Sequence, residues 1–265
     1  MHVSVFDQYQ DRPTLIHHLD PRVKVVMMFI YVLSTVMLPD GAWLAFLFSW
    51  GVVWTVRYMA DIPMEYVLKR SLVMLPFVLA AMTIIFTLPG PPIGTLQLRE
   101  WQVVISETGV VRFLSILLRS WISIQIAILL VATTPIPDLL HAFVHLRVPK
   151  VLVSIVSFMY RYLFVLVDEA MRLLRAREAR SAQPLPGKKG SSMLWRARVT
   201  GNMAGQLFIR SYDRSDRVYN AMLARGFRGE LMTMRPHRMH SQDWVFVLLA
   251  GIICLGIQII GHFIG

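Results

Sequence analysis

Five long apolar stretches divide this chain of 265 residues, and they limit its possible folds more than any other feature. A helix needs roughly 20 mainly apolar residues to cross the hydrocarbon core of a bilayer. None of the five contains Asp or Glu, and the chain is 55% hydrophobic and 16% charged, with a mean hydropathy of +0.54. The sequence therefore predicts an all-α membrane protein with about five transmembrane helices, at residues 23–38, 42–56, 71–88, 110–132 and 244–263.

Basic residues beside these spans predict their orientation, because cytoplasmic loops hold an excess of Lys and Arg. They cluster before the first span and again between the second and third, at Arg57, Lys69 and Arg70. The short turn at 39–41 and the residues after the last span hold none. We therefore expect a multi-pass membrane protein with its N-terminus in the cytoplasm and its C-terminus outside.

The segment 147–240 is strongly basic. It holds 18 of the 27 Lys and Arg residues but 6 of the 16 Asp and Glu residues, so its net charge is +12. Such a segment suits anionic lipid heads or an acidic protein. We rank these partners above nucleic acid, because both ends of the segment are tethered to the membrane. The predicted domains are N-terminal transmembrane helices at 1–134, a cytoplasmic domain of long amphipathic helices at 135–240 and a last transmembrane helix at 241–265.

Two amphipathic helices are predicted in the basic segment, because apolar residues recur there in alternating steps of four and three. The first stripe is Leu152, Val156, Met159, Leu163, Leu166, Ala170 and Leu173, and the second is Phe208, Tyr212, Ser215, Tyr219 and Met222. A sixth membrane span at 151–167 is the alternative for the first. Arg161 lies in its middle, and a central arginine in a lipid-exposed helix costs at least about 2.5 kcal/mol.

Each amphipathic helix is predicted to end at an arginine between small residues. Gly226 predicts the end of the second helix, since glycine adopts the left-handed conformation without steric cost. The first helix is predicted to end in the run RAREARS, because the stretch SAQPLPGKKGSS holds two prolines and two glycines. A solvated arginine at a plain helix end is one interpretation. The repetition favours a pair of docking points, Ala179-Arg180-Ser181 and Ala224-Arg225-Gly226.

Charged residues within the spans give little support for ion-coupled transport, because no carboxylate is available there to relay protons. Arg112 and Arg119 lie seven apart in the fourth span and so share one face. We expect Arg112 to snorkel towards the interface and Arg119 to contact protein, with polar backbone as its partner.

Four stretches of the sequence resemble the transmembrane T component of energy-coupling factor (ECF) transporters, the ABC importers of vitamins and transition metals. They are HHLDPRVKVVMMF, TTPIPDLLHAFVHLRVPK, FMYRYLFVLVDEAMRLLRAREARS and SYDRSDRVYNAMLARGFRGE. The run RVYNAML is most similar to the cobalt and nickel branch, the CbiQ type. The resemblance implies that two coupling helices, 151–181 and 206–226, cross in the cytoplasm and that each ends in an Ala-Arg-Gly-like motif docked on one ATPase subunit. Ser181 stands where the family commonly has glycine.

The resemblance also implies the partners: two ATP-binding cassette ATPase subunits, a metal-binding membrane S component, with or without a small accessory membrane subunit, and membrane lipid. ATP and Mg²⁺ are then bound by the ATPases, so no cofactor is expected in this chain, and PGKKGSS lacks the spacing of a phosphate-binding loop.

His141 and His145 have the spacing of two metal ligands on a helix. No third ligand is evident beside them, so we assign no metal site.

Three alternatives stay open from the sequence. The first is a T component that serves vitamin uptake. The second is a membrane-embedded enzyme, which would need catalytic Asp, His or Ser residues clustered at the end of a span. No such cluster is evident, so we expect a transporter subunit without catalysis of its own. The third is an adaptor that binds lipid through the basic segment.

Overall fold

The computed structural model describes residues 9–98, 101–180, 193–229 and 241–264. The helices in these ranges are α1 Leu15–His18, α2 Pro21–Val36, α3 Trp43–Met59, α4 Met64–Ser71, α5 Leu75–Ala81, α6 Ile84–Thr87, α7 Glu107–Thr133, α8 Ile136–His145, α9 Lys150–Arg180, α10 Met193–Ala224 and α11 Ser241–Ile264. The strands are β1 Pro92–Leu98 and β2 Trp101–Ser106. The chain divides into two compact units, Met1–Ala142 with Arg235–Gly265, and Phe143–Met234.

The predicted class, an all-α membrane protein, is confirmed, and each of the five predicted spans is mainly helical. Within the described residues, four helical runs are long and apolar enough to cross a membrane. They are Met64–Thr87, Glu107–Thr133, Lys150–Arg180 and Asp243–Phe263. The helices α2 and α3 have 16 and 17 residues and are short for a bilayer. The count of five spans stays a prediction, since α9 also meets these criteria.

The connection between α6 and α7 contains a β-hairpin that the sequence did not predict. Strands β1 and β2 form an antiparallel hairpin in which Thr95 lies opposite Val104. The register shifts between Pro92 and Gly94. The apolar run Val103-Val104-Ile105 breaks the strict alternation that marks a half-buried strand, so the pattern gave no strand signal.

The third predicted span is an irregular helix. It begins at Met64, seven residues before the predicted start, and a 3-10 turn at Leu72–Met74 joins α4 to α5. Pro76 has no backbone N–H and cannot complete a regular ladder to the preceding turn. The helix therefore takes a 3-10 turn, which is tighter than an α-helical turn, just before this proline.

Four helices, α2, α3, α7 and α11, form the core of the first unit. Its interior includes Val25, Phe46, Ile122 and Leu129, each at most 2% exposed. Hydrogen bonds cross this apolar core between helices. The Tyr31 hydroxyl donates to the Ser49 carbonyl at 2.5 Å, and Gln258 Nε2 donates to the Ser34 carbonyl at 2.8 Å. Such bonds satisfy polar groups that have no access to water between the helices.

A cluster of charged and backbone groups joins the starts of α2 and α11 to the end of α7. Asp243 accepts a hydrogen bond from the backbone N–H of Asp20 at 3.1 Å. Lys24 donates to the carbonyls of His17 at 3.1 Å and Thr133 at 3.2 Å. Asp20 also caps α2 by accepting from the backbone N–H of Arg22. The cluster orients three membrane helices at one end of the unit.

Arg119 has the partner that the sequence predicted. Its Nη2 donates to the backbone carbonyl of Leu38 at 2.5 Å and to Asp40 Oδ1 at 2.7 Å. The Arg119 side chain is 19% exposed, whereas that of Arg112 is 54% exposed and lies 3.8 Å from Asp40. Arg119 therefore fastens α7 to the turn between α2 and α3.

Candidate functional site

The long helices α9 and α10 dominate the second unit. The predicted first coupling helix, 151–181, corresponds to α9, which has 31 residues. The second was predicted to begin at 206, but α10 begins at Met193 and has 32 residues. Gly201 and Gly205 obscure the apolar pattern there without ending the helix, since each costs only about 1 kcal/mol relative to alanine.

The helices α9 and α10 run antiparallel where they meet. Phe158 of α9 contacts Phe227, just beyond the end of α10, and Glu169 of α9 contacts Arg210 in the middle of α10. A step towards the C-terminus of α9 therefore corresponds to a step towards the N-terminus of α10. The C-terminal end of α9 and the C-terminal end of α10 consequently lie on opposite sides of the contact.

The ionic contact between the helices uses both oxygens of one carboxylate. Glu169 Oε1 accepts from Arg210 Nη1 at 2.6 Å, across the helix pair. Glu169 Oε2 accepts from Arg172 Nη2 at 2.7 Å, one turn along α9. The Glu169 side chain is only 17% exposed. One acidic residue thus holds an arginine from each helix.

The end of α10 has the left-handed turn that Gly226 predicts. The φ angle of Gly226 is +81°, and its N–H donates to the Leu223 carbonyl at 2.9 Å. The N–H of Phe227 donates to the Met222 carbonyl at 3.0 Å. These two bonds form a Schellman motif, which satisfies the last carbonyls of the helix.

The residues after this turn fold back on α9. The rings of Phe227 and Phe158 meet edge to face, with centroids 5.9 Å apart. Ser154 Oγ donates to the Gly229 carbonyl at 3.1 Å. Both contacts lie in the first three turns of α9. The position of Arg225 is thereby tied to the start of the neighbouring helix.

An open, mainly apolar groove of about 470 Å³ lies between α9 and α10. The whole predicted second stripe lines it, together with Met159 and Leu166 of the first. Phe208, Tyr212 and Tyr219 are 70%, 60% and 53% exposed. Helical periodicity thus identified the face of α10 that turns towards α9. Most of that face stays accessible within this unit.

The predicted docking residues lie at the two ends of this helix pair. Ala179 and Arg180 are the last residues of α9, and Ala224, Arg225 and Gly226 form the end of α10. All five are exposed. Neither guanidinium makes an ion pair with any residue that the structure describes. Ser181 lies outside the described residues.

The two histidines considered as metal ligands lie on one short helix. His141 and His145 both lie on α8, as predicted. Across the described ranges, no three His, Cys, Asp or Glu side chains are close enough together to hold a metal ion.

Sequence reasoning missed the residues that join the two helices. Glu169 and Arg210 are 41 positions apart, so no local pattern pairs them. Phe227 could have been found, because an apolar residue just past a C-terminal glycine often packs back against its helix or a neighbour.

A comparison with models of known protein families identifies the family of this chain. The model of the cobalt transport protein family, CbiQ, matches residues 13–236. The chain belongs to this family. It is therefore a transmembrane T component of the ECF transporter type, as the four stretches suggested.

Individual relatives agree with the family assignment. The energy-coupling factor transporter transmembrane protein EcfT of Lacticaseibacillus paracasei is 25% identical, over 91% of this chain and 93% of its own length. The cobalt transport protein CbiQ of Rhodobacter capsulatus is 29% identical, over 48% of this chain and 51% of its own length. An uncharacterized protein of Methanocaldococcus jannaschii is 26% identical, over 94% of this T component and 83% of its own length.

Proposed function

We propose that this T component is the energy-coupling scaffold of an importer in which two ATP-binding cassette ATPases dock on its arginine-tipped helices. The carrying observation is that Arg180 and Arg225 are exposed at opposite ends of one antiparallel helix pair. At about 1.5 Å per residue, Arg180 lies about 16 Å along α9 from Glu169, and Arg225 lies about 22 Å along α10 from Arg210. Such an arrangement lets two subunits bind one scaffold without competing for the same surface.

The chemistry of the tips suits a protein groove with acidic walls. A guanidinium can hold a carboxylate through two parallel hydrogen bonds, and it also binds backbone carbonyls. The small flanking residues Ala179, Ser181, Ala224 and Gly226 allow the groove to approach each arginine closely. The partner ATPases are therefore expected to present acidic residues, and ATP and Mg²⁺ are bound by them.

Movement of the ATPases is then passed on through the helices. When ATP binding draws the two ATPases together, the tips move with them, and rigid helices carry the displacement along their length. The open groove between α9 and α10 offers an apolar surface for a substrate-binding membrane subunit. We propose that movement of α9 and α10 rocks that subunit between outward and inward orientations.

Cobalt or nickel is the proposed substrate. The description of the matching family and the name of the Rhodobacter capsulatus relative support a metal. A second candidate is a T component for other substrates, such as vitamins, because relatives matched over most of their length carry only the general energy-coupling name. Uptake of radioactive Co²⁺ and Ni²⁺ by cells that express the whole transporter distinguishes the two.

The orientation belongs to the same proposal. With the N-terminus and the basic segment 147–240 in the cytoplasm, both arginine tips face the compartment that supplies ATP. The C-terminus then lies outside the bacterial inner membrane. The excess of Lys and Arg in the predicted cytoplasmic segments supports this orientation.

Co-purification tests the docking proposal. The chain is expressed with its ATPases and its substrate-binding subunit as wild type, Arg180→Glu, Arg225→Glu and the double variant. We expect each single reversal to lower ATPase recovery and metal uptake, and the double variant to lose both while remaining in the membrane. Arg217→Glu is the matched control, because Arg217 is an exposed residue of α10 away from its tip. Equal ATPase recovery and uptake in all five proteins would rule out docking through the tips.

A further inference from the structure

We propose that Glu169 is a positioning residue that sets the crossing of α9 and α10, and through it the placement of Arg180 relative to Arg225. This inference rests on the proposed coupling function. It assigns a role to a residue that lies about 16 Å from the nearer tip and so does not itself meet an ATPase in that proposal.

Two separate contacts are needed to fix the crossing angle of α9 and α10, because two helices that touch at one point can rotate about that point. The first contact is apolar, where Phe227 packs on Phe158 and Ser154 bonds to the Gly229 carbonyl. The second is the pair of Glu169 with Arg210, 11 residues further along α9. Among the described contacts, the Glu169 carboxylate therefore lies at the opposite end of the helix interface from the Phe158–Phe227 contact.

The charge of the segment makes this carboxylate necessary. The segment 147–240 has a net charge of +12, and Arg172 and Arg210 approach each other from different helices. Without an acid between them, the two cations repel across the helix pair. Glu169 accepts from both, at 2.7 Å and 2.6 Å, and so converts this repulsion into an attraction.

An ionic contact also suits a pair of helices that must move. The side chains of Arg210 and Arg172 are 57% and 60% exposed, so water competes for them. Exposed pairs of this kind contribute little net stability. The contact can therefore orient the helices in the resting state and separate when the ATPases pull on the tips.

A charge swap tests this role in the whole complex. The complex is assembled in nanodiscs from cysteine-free partner subunits and this chain carrying Cys254→Ala. Spin labels are placed at Ala176 and Ala221, exposed positions near but outside the two tip motifs. The distance between labels is measured for wild type, Glu169→Arg, Arg210→Glu and the swapped double variant Glu169→Arg with Arg210→Glu. Arg217→Glu serves again as the control for reversing one charge on α10.

We expect both single reversals to broaden the distance distribution and the swap to restore a single narrow one. Uptake falls roughly threefold or more in the single variants and returns to within about twofold in the swap, as expected for two coupled positions. ATPase recovery stays at the wild-type level in all of them, because the tips are intact. Glu169→Gln, which keeps the size of the side chain but removes its charge, shows the same loss with less risk of misfolding.

Two results would overturn the positioning role. One is an unchanged distance distribution in the single variants, and the other is a swap that restores neither distance nor uptake. Failure of the docking proposal has a different signature. In that case Arg180→Glu and Arg225→Glu keep the ATPases, whatever the distances between labels show.

Discussion

The ring of Phe227 meets that of Phe158 edge to face, at an interplanar angle of 74°, and so joins the turn after Arg225 to α9. Only Gly226 separates the arginine from this aromatic contact. The direction of the Arg225 tip is consequently determined by the left-handed turn at Gly226 rather than by α10 alone. The turn and the aromatic pair together make this tip a rigid feature of the helix pair.

Gly226→Ala is therefore expected to destabilise this end of α10. A Cβ atom at Gly226 would meet nothing within 4 Å, so the cost is not steric contact with neighbours. It is the left-handed backbone, which costs an alanine about 1–2 kcal/mol. Hydrogen exchange of the amides at 222–229 in the complex should become faster, and recovery of the ATPases should fall.

Gly205→Ala provides the matched control for that variant. Gly205 lies inside α10, and a Cβ atom there would also meet nothing within 4 Å. Alanine at a helix interior is favoured over glycine by about 0.5–1 kcal/mol, so exchange within α10 should slow. Faster exchange in both variants would mean that the backbone conformation of Gly226 is not the cause.

Arg119→Met is expected to loosen the contact between α7 and the turn at Asp40. The substitution removes the donor to the part-buried Leu38 carbonyl, and an unpaired group of this kind costs about 1–3 kcal/mol. It also removes the exposed pair with Asp40, which contributes at most about 1 kcal/mol. The thermal unfolding midpoint of the purified chain in detergent should fall. Arg112→Met is the control, because its more exposed pair with Asp40 should contribute at most about 1 kcal/mol. Equal losses from the two variants would contradict a special role for Arg119.

Features that depend on local sequence were predicted correctly. The turn at Gly226 follows from the conformational freedom of one residue, and the groove-lining stripe from Phe208 to Met222 follows from helical periodicity. The need of Arg119 for a backbone partner, though not the identity of that partner, followed from the cost of a charged group within an apolar span. In each case the physical cause lies within a few residues of the feature.

Features that depend on distant pairing could not be predicted in the same way. Asp20 and Asp243 are 223 positions apart, and Glu169 and Arg210 are 41 apart. Periodicity shows which face of a helix is apolar, but it does not show which residue of another helix will lie opposite. The hairpin of β1 and β2 was missed for a different reason, because the apolar run Val103-Val104-Ile105 lacks the strict alternation that marks a half-buried strand.

Gly261→Leu is expected to disturb the packing of α11 against the turn that follows α2. A Cβ atom at Gly261 would lie 2.6 Å from Leu38 Cδ2 and 3.5 Å from Ala45 Cβ. Leu38 is only 2% exposed and has little room to move, so overpacking should cost about 1–3 kcal/mol. The midpoint of thermal unfolding in detergent measures this loss. Gly256→Leu, where a Cβ would meet nothing within 4 Å, should leave the midpoint almost unchanged. The packing argument fails if the two variants unfold alike.

His17 should make the stability of the protein depend on pH. Burial is the main cause that lowers the pKa of His17 below its ordinary value of 6.5. The charges of Lys24 and His18 lower it further, against the opposing effects of the Gln10 backbone and of Asp11. Its Nδ1 lies 2.7 Å from Thr14 Oγ1, while its buried Nε2 has no hydrogen-bond partner among the described residues. The folded state therefore favours the neutral ring.

The direction of the pH dependence follows from this preference of the folded state for a neutral His17 ring. The contribution of His17 to stability is complete above pH 6.5, the ordinary value, and is lost as the pH falls through the lowered pKa of the folded state. The thermal unfolding midpoint of the wild type should fall between about pH 7.5 and about pH 5.5, and His17→Gln should show a smaller fall because glutamine does not titrate. His18→Gln, a substitution at the exposed neighbour whose charge is the smallest of these causes, should keep most of the wild-type dependence. An identical dependence in His17→Gln and the wild type would assign the pH effect to other groups.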